Sequence, residues 1–398
     1  MPEAPMIEKG LPVPGQEARA HSERLSELIR EAIAGAGGRL NFARYMDLAL
    51  NAPGLGYYRA PLRRFGEAGD FVTAPEISAL FGRCVARQVV QILDYLGGGE
   101  VFEVGAGSGR LCAQLLGALA EANALPQRYL ILEPGAELRA RQRDTLEREV
   151  PELAACVVWT EKLPTAGFEG VMLANELLDA LPVRRFKKHQ GGVLEGFVAC
   201  SGGRFVWRMD DPEDPALAAV VDGIETELGA HLPDGYVSET GCQRNAWLAT
   251  AAAGLGRGAI LLFDYGYPLR EYYHPQRNDG TLVCFYRHRA HYDPFLYPGL
   301  QDISVHVEFS SLSRGALERG LELSGFTTQA EFLIASGLLE QCENIDPRTP
   351  DYVLLTQQIK RLTLPGEMGE LVKVLALTLG VDRPLLGFSG RDLRNRLS

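Results

Sequence analysis

The sequence predicts an α/β fold in which helices cover the faces of an open sheet. Three observations carry that prediction. Short apolar segments alternate with helical ones from about residue 99, VFEVGAGSGRL (101–111) runs an apolar strand into three alternate glycines, and a second apolar strand, RYLILE (128–133), closes on an acid. In chain order, residues 1–16 carry Pro2, Pro5, Pro12 and Pro14 and read as a flexible leader. HSERLSELIREAIA (21–34) places Leu25, Leu28, Ile29 and Ile33 at helical spacing, a second helix is expected over 42–50, and 51–78 is an ordered loop rich in Gly, Pro and aromatics. With a helix over 79–96, residues 17–98 form an N-terminal helical cap and lid loop.

Strands are predicted near 100–104, 129–133, 156–159, 170–174 and 259–264, with helices near 108–122, 136–149 and 243–253. Residues 183–240 break this alternation with the hairpin segments VLEGFVAC and GRFVWRMD and read as an inserted lobe between core segments 99–182 and 241–398. Beyond Gly280 come TLVCFYRH, ISVHVEF, a helix near 313–324, and GFTTQAEF and LVKVLALTL as a final antiparallel pair.

The 398 residues are 46% hydrophobic and 23% charged, with a net charge of −11 that leaves no surplus of cations for a nucleic-acid backbone. The seven cysteines are scattered and form no Cys-x-x-Cys pair, so neither zinc nor a disulfide framework is expected. No apolar segment approaches the roughly 18 to 20 residues of a bilayer span. The acids Glu3 and Glu8 speak against a transit peptide, and the expected compartment is a reducing cytoplasm.

The glycine turn sets backbone N–H groups and a helix N-terminus beside any ligand lying over the sheet's carboxyl edge. A dinucleotide fingerprint requires a small residue where Arg110 stands, and a P-loop lysine is absent. What remains is E-x-G-x-G-x-G with Glu103, Gly105, Ala106, Gly107 and Gly109, followed by Glu133 at the end of the next strand. That set suits a nucleoside with a cationic amino-acid tail, with Glu133 accepting from both ribose hydroxyls and Glu103 near the ammonium. S-adenosylmethionine is such a ligand.

Several stretches together resemble the MidA/NDUFAF7 family of class I S-adenosylmethionine-dependent methyltransferases: YMDLALNAPGLGYY, GDFVTAPEISALFG, FEVGAGSGRL, NELLDALPVRRF, FDYGY, PGLQDISVHVEFS and LPGEMGELVKVLAL, in the family's order over about 39–377. The resemblance implies a seven-stranded, Rossmann-like methyltransferase sheet with a helical cap and an inserted lobe. It also implies a protein-arginine acceptor, since the mitochondrial member acts on a respiratory complex I subunit and assists assembly of the complex. Pro134 and Gly135 depart from the family's pattern after the second acid, which affects the ribose loop.

An arginine acceptor calls for carboxylates that orient the guanidinium and take its proton. Glu176, in ANELLDALPV, is the first candidate, with Asn175 beside it to hydrogen-bond cofactor or acceptor. Asp179 follows at helical spacing, able to act or to brace the turn, and Asp264 ends another apolar strand, able to enter the crevice or to stabilise a loop. In GDFVTAPEIS, Asp70 and Glu76 bracket a lid shaped by Thr73 and Pro75; a capping box from Thr73 to Glu76 serves equally. Tyr57, Tyr58 and Tyr265 are candidates to bound the guanidinium or simply to pack. His274 and His306 lack metal spacing, and the run Arg184, Arg185, Lys187 and Lys188 reads as a solvated face or a surface for an acidic partner. A small-molecule methyltransferase and an assembly chaperone with a structural cofactor are the competing readings.

Overall fold

The computed structural model describes residues 11–60, 72–342 and 348–397, so Asp70 lies outside the described residues. By internal contacts the chain divides into two compact units. One gathers residues 11–60 with Asp179–Gln243 and Leu269–His306. The other gathers Val72–Leu178, Arg244–Pro268 and the described residues from Val307 onward. The sequence reading drew its boundaries at 98, 182 and 241. By contact, helix Ala79–Leu96 joins the sheet unit and 269–306 joins the hairpins.

The sheet unit is built on seven long strands: β1 (Glu100–Val104), β2 (Tyr129–Leu132), β3 (Val157–Thr160), β4 (Phe168–Asn175), β5 (Leu255–Tyr267), β6 (Glu322–Thr328) and β7 (Val372–Leu379). Their order is β3-β2-β1-β4-β5-β7-β6, and a two-residue strand, Val307–Glu308, pairs in parallel with the end of β5. The first five run parallel, while β7 lies antiparallel between β5 and β6. The central strands are buried on both faces, which explains why β4 and β5 read as continuous apolar runs, with Val171 to Ala174 and Ala259 to Phe263 all buried. The strand order reverses between β1 and β4, and such a reversal opens a crevice beyond the carboxyl ends of the strands.

Helix Ala79–Leu96 starts where Ser78 Oγ accepts from the Leu80 N–H and stops at Gly97, whose φ of 79° no helix continues. Ala136–Glu149 matches its expected span. The helix expected near 313–324 instead occupies Phe309–Leu317, because the carboxylate of Glu308 accepts from the N–H groups of Ser310 and Ser311 and starts it early. Helix Pro350–Thr363 went unrecognised in the sequence, and helix Gln329–Ala335 corrects the reading of GFTTQAEF as one strand, since Thr328 accepts from the Glu331 N–H and starts a helix there.

The other unit has its own core, in which helices Gln16–Gly35 and Phe42–Asn51 bury Leu25, Ile29, Phe42, Tyr45 and Met46 with Val198, Cys284 and Ile303. Its larger sheet pairs Leu40–Asn41, Gly192–Ser201, Arg184–His189 and Val237–Thr240, with Arg204–Asp210 on the hairpin edge; Arg289–His291, Leu282–Tyr286 and Asp302–Val305 form a smaller one. The basic run corrects its sequence reading as a solvated face. Arg185 and Lys188 are buried, and Arg184 grips Glu195 through two bonds of 2.8 and 2.7 Å, Arg185 holds Glu239 at 2.8 Å and Lys188 holds Glu225 at 2.9 Å. Strand pleating sends these cations among acids of neighbouring strands and helix, where pairing offsets their desolvation.

Candidate functional site at the carboxyl edge of the sheet

The glycine turn after β1 winds through three left-handed residues: Gly105 at φ 74°, Gly107 at 51° and Gly109 at 83°. Only glycine adopts such angles in succession without strain, and helix Arg110–Glu121 begins immediately afterwards. Gly109 has a second constraint. A Cβ there would sit 3.0 Å from the Cα of Gln142, so this glycine serves the packing of helix Ala136–Glu149 against the turn. Ala106 is buried beneath the turn, and Gly105 is exposed, although a Cβ there would meet Cδ1 of Leu177 at 2.9 Å.

The two strand-end acids part company. Glu133, itself buried at 6% exposure, follows the last residue of β2, where its Oε1 accepts from the Gly135 N–H at 2.8 Å and its Oε2 is 3.5 Å from Gln142 Nε2. Gly135, a departure from the family's pattern, thus presents its N–H to the carboxylate. Glu103 is 2% exposed and accepts from the hydroxyl of Tyr129 at 2.6 Å, close to the Cys112 thiol. Burial outweighs the Tyr129 bond and pushes its pKa up to about 7. This corrects the expectation that Glu103 reaches a ligand's ammonium, since its side chain points inward from β1 into the core.

TAPEIS forms a short helix, Ala74–Ile77, fastened to the glycine turn. Glu76 accepts from Ser108 Oγ at 2.5 Å and pairs with Arg110 at 3.1 Å, while Gln114 Nε2 donates to the Pro75 carbonyl at 2.8 Å. The expected capping box does not form. Thr73 stands at the N-cap without a side-chain bond, and the Ala74 N–H donates to Glu176 Oε1 at 3.2 Å. Arg110, which argued against a dinucleotide, is therefore the partner of Glu76.

At the end of β4, Glu176 adopts φ 50°, a left-handed angle that costs a non-glycine residue about 1 kcal/mol or more. Its N–H donates to the carbonyl of Phe263 at 2.8 Å, and its Oε1 also accepts from Asn175 Nδ2 at 3.2 Å. The Oδ1 of Asn175 is buried without a hydrogen-bond partner, a cost that an N–H donor on a ligand would remove.

Two candidates take bracing roles. Asp264 is 1% exposed, and its carboxylate accepts from the N–H groups of Leu178 at 2.7 Å, Leu177 at 3.2 Å and Tyr265 at 2.9 Å. It holds the NELLDALPV turn instead of entering the crevice. Residues 176–183 are not helical, so Asp179 shares no helical face with Glu176. Asp179 belongs to the other unit, accepting from Ser304 Oγ at 2.7 Å. In that unit Tyr58 donates to Asp302 at 2.8 Å and packs edge-on against Tyr57. Tyr265 stays with the sheet unit. Among the described residues no group of three or more His, Cys, Asp or Glu is arranged to hold a metal, and no helix is long and apolar enough to cross a membrane.

The sequence reading missed Gln142 and Ser108. Gln142 was hidden because a polar residue in a polar helix carries no signal until the helix is docked; Ser108 stood inside the motif but was passed over as a spacer. Against known proteins, a family model described as "Putative S-adenosyl-L-methionine-dependent methyltransferase" matches residues 84–327. A Burkholderia thailandensis protein, solved bound to S-adenosyl-homocysteine and described as a "likely methyl transferase", is 44% identical with a TM-score of 0.92, covering 97% of this chain and 100% of its own. The mitochondrial protein arginine methyltransferase NDUFAF7 of Rattus norvegicus is 28% identical over 90% of this chain and 86% of its own length. Its Mus musculus counterpart is 29% identical over 80% and 76%.

Proposed function

The chain belongs to this family of S-adenosylmethionine-dependent methyltransferases, and we propose that it methylates an arginine side chain of a partner protein. The observation that carries the reading is the joined edge: the glycine turn and Glu133 on one side of the strand-order reversal, Asn175 and Glu176 on the other, with the TAPEIS helix bonded to both. The residues present fit the cofactor. The left-handed glycines 105 and 107 would hold the turn open to it, Glu133 would take its ribose hydroxyls, and the buried Asn175 Oδ1 would accept an N–H from its ammonium or from the acceptor.

The cofactor supplies an activated methyl on a sulfonium leaving group, so the protein's task is placement and charge. A guanidinium, with a reference pKa above 12, arrives protonated and planar. Glu176 holds it by charge-assisted N–H bonds, orients one nitrogen and receives the proton released on transfer. The fixed φ of Glu176 points its carboxylate along one direction, and the Ala74 N–H holds it there. Thr73, Pro75 and Glu76 shape the closing segment over this edge. The arginine-methyltransferase relatives support the acceptor class, and the client is a protein, as the complex I resemblance implies. The six described free cysteines accord with a reducing compartment, and we assign the chain to the cytoplasm.

Calorimetry with S-adenosylmethionine and S-adenosylhomocysteine tests the cofactor, and mass spectrometry of a deletion strain against its parent tests the acceptor. Binding together with one lost methyl-arginine is expected; binding with only a metabolite changed would sink the protein acceptor. The Glu176→Gln variant should lose about a hundredfold or more in kcat with cofactor affinity within about threefold.

A further inference from the structure

We propose that Gln142 is the positioning residue that holds the two cofactor-binding elements in register and thereby sets cofactor affinity. The inference rests on the methyltransferase reading above. Helix Ala136–Glu149 buries only Gln142, Thr145 and Leu146, so its inward face is mostly polar. Gln142 is 0% exposed, yet all its polar atoms are engaged. Its Nε2 donates to the carbonyl of Gly107 at 3.2 Å and approaches Glu133 Oε2 at 3.5 Å, while its Oε1 accepts from the indole N–H of Trp159 at 2.8 Å. Its Cα fills the space that a Cβ on Gly109 would need.

One carboxamide therefore ties the loop after β1, the acid after β2 and the tryptophan of β3. Burying an amide is unfavourable unless it is hydrogen-bonded, and a methionine would fill the same volume without that penalty. What methionine lacks is the fork: two donors spaced to fix a glycine-turn carbonyl and a carboxylate in one frame. Trp159, donating to the amide oxygen, fixes which way the amide faces. Arg143, stacked 5.1 Å from the Trp159 ring, holds the indole in turn.

The test is S-adenosylhomocysteine affinity by calorimetry on the full chain, with melting temperature and steady-state kinetics on the same samples. Gln142→Met should weaken binding about tenfold or more while the melting temperature moves by only a few degrees. KM for the cofactor should rise in parallel, with kcat at saturation within about twofold of the wild type. Gln142→Glu keeps the acceptor for Trp159 but sets a charge beside Glu133; its affinity should recover as the pH is lowered from 8 to 6 and the new carboxyl gains a proton to donate, a response that a packing role does not produce. Trp159→Phe frees the amide to turn and should weaken binding about threefold. Leu146→Ala, one turn along the same buried face, should lower the melting temperature yet leave affinity within about twofold. Unchanged affinity in Gln142→Met, or an equal loss in Leu146→Ala, overturns the proposal. A wild type that binds neither ligand sinks the cofactor reading itself, and this inference with it.

Discussion

The two sides of the sheet's carboxyl edge solve one backbone problem in opposite ways. After β1 the chain needs left-handed angles and no side chains, and glycine supplies both at 105, 107 and 109. After β4 it needs a left-handed angle and a carboxylate, which no glycine offers, so Glu176 carries the strain at φ 50°. The surroundings hold it there: Phe263 fixes its N–H, Asp264 braces the next two N–H groups, and Ala74 bonds its side chain. On this edge the strained non-glycine residue is thus the one that carries a carboxylate. The glycine side is shaped instead by what packs behind it.

That contrast is open to direct tests on cofactor binding and stability. On the glycine side, Gly109→Val should weaken S-adenosylhomocysteine binding about a hundredfold or more, because a β-branched residue at φ 83° is strained and its Cβ displaces Gln142. Affinity near wild type would show that the turn tolerates what its geometry forbids. On the strained side, Asp264→Asn should destabilise the chain by about 1–3 kcal/mol, since a neutral amide serves three N–H groups poorly. Its cofactor affinity should stay within about threefold; a selective loss of binding would make Asp264 a ligand contact instead of a brace.

The smallest effect is expected for Glu103, which touches neither side. Its folded pKa of about 7 lies above the usual 4.5, so its stabilising contribution is complete below the unfolded value and is lost as pH rises through about 7. Glu103→Gln should therefore flatten the decline of stability over that window, removing at most about 1.4 kcal/mol per pH unit, with cofactor binding unchanged. Weakened binding in this variant would restore Glu103 to the ligand site.

Much of the sheet was legible because its signals are local. The strands of the parallel core are bounded by glycines and acids, β2 and Ala136–Glu149 fell where periodicity placed them, and of GFTTQAEF, read as the partner of LVKVLALTL, GFTT pairs antiparallel while QAEF opens a helix capped by Thr328. Helix Pro350–Thr363 was missed because Val353 and Leu354 lie exposed, blurring its apolar stripe. The basic strand 184–188 was misread for a related reason: charges look solvated until their partners, distant in sequence, are docked.

The sequence by itself determined the α/β class, the glycine turn, the acid at the end of β2 and the acids that close β4 and β5, since each depends on residues close together in the chain. Only the tertiary structure decided what each carboxylate does. Glu103 and Asp264 read like Glu133 and Glu176 at their strand ends, yet Glu103 accepts from the Tyr129 hydroxyl and Asp264 from a cluster of backbone N–H groups. A carboxylate's role follows from the donors and the solvent around it, and those are brought together by contacts between segments far apart in sequence.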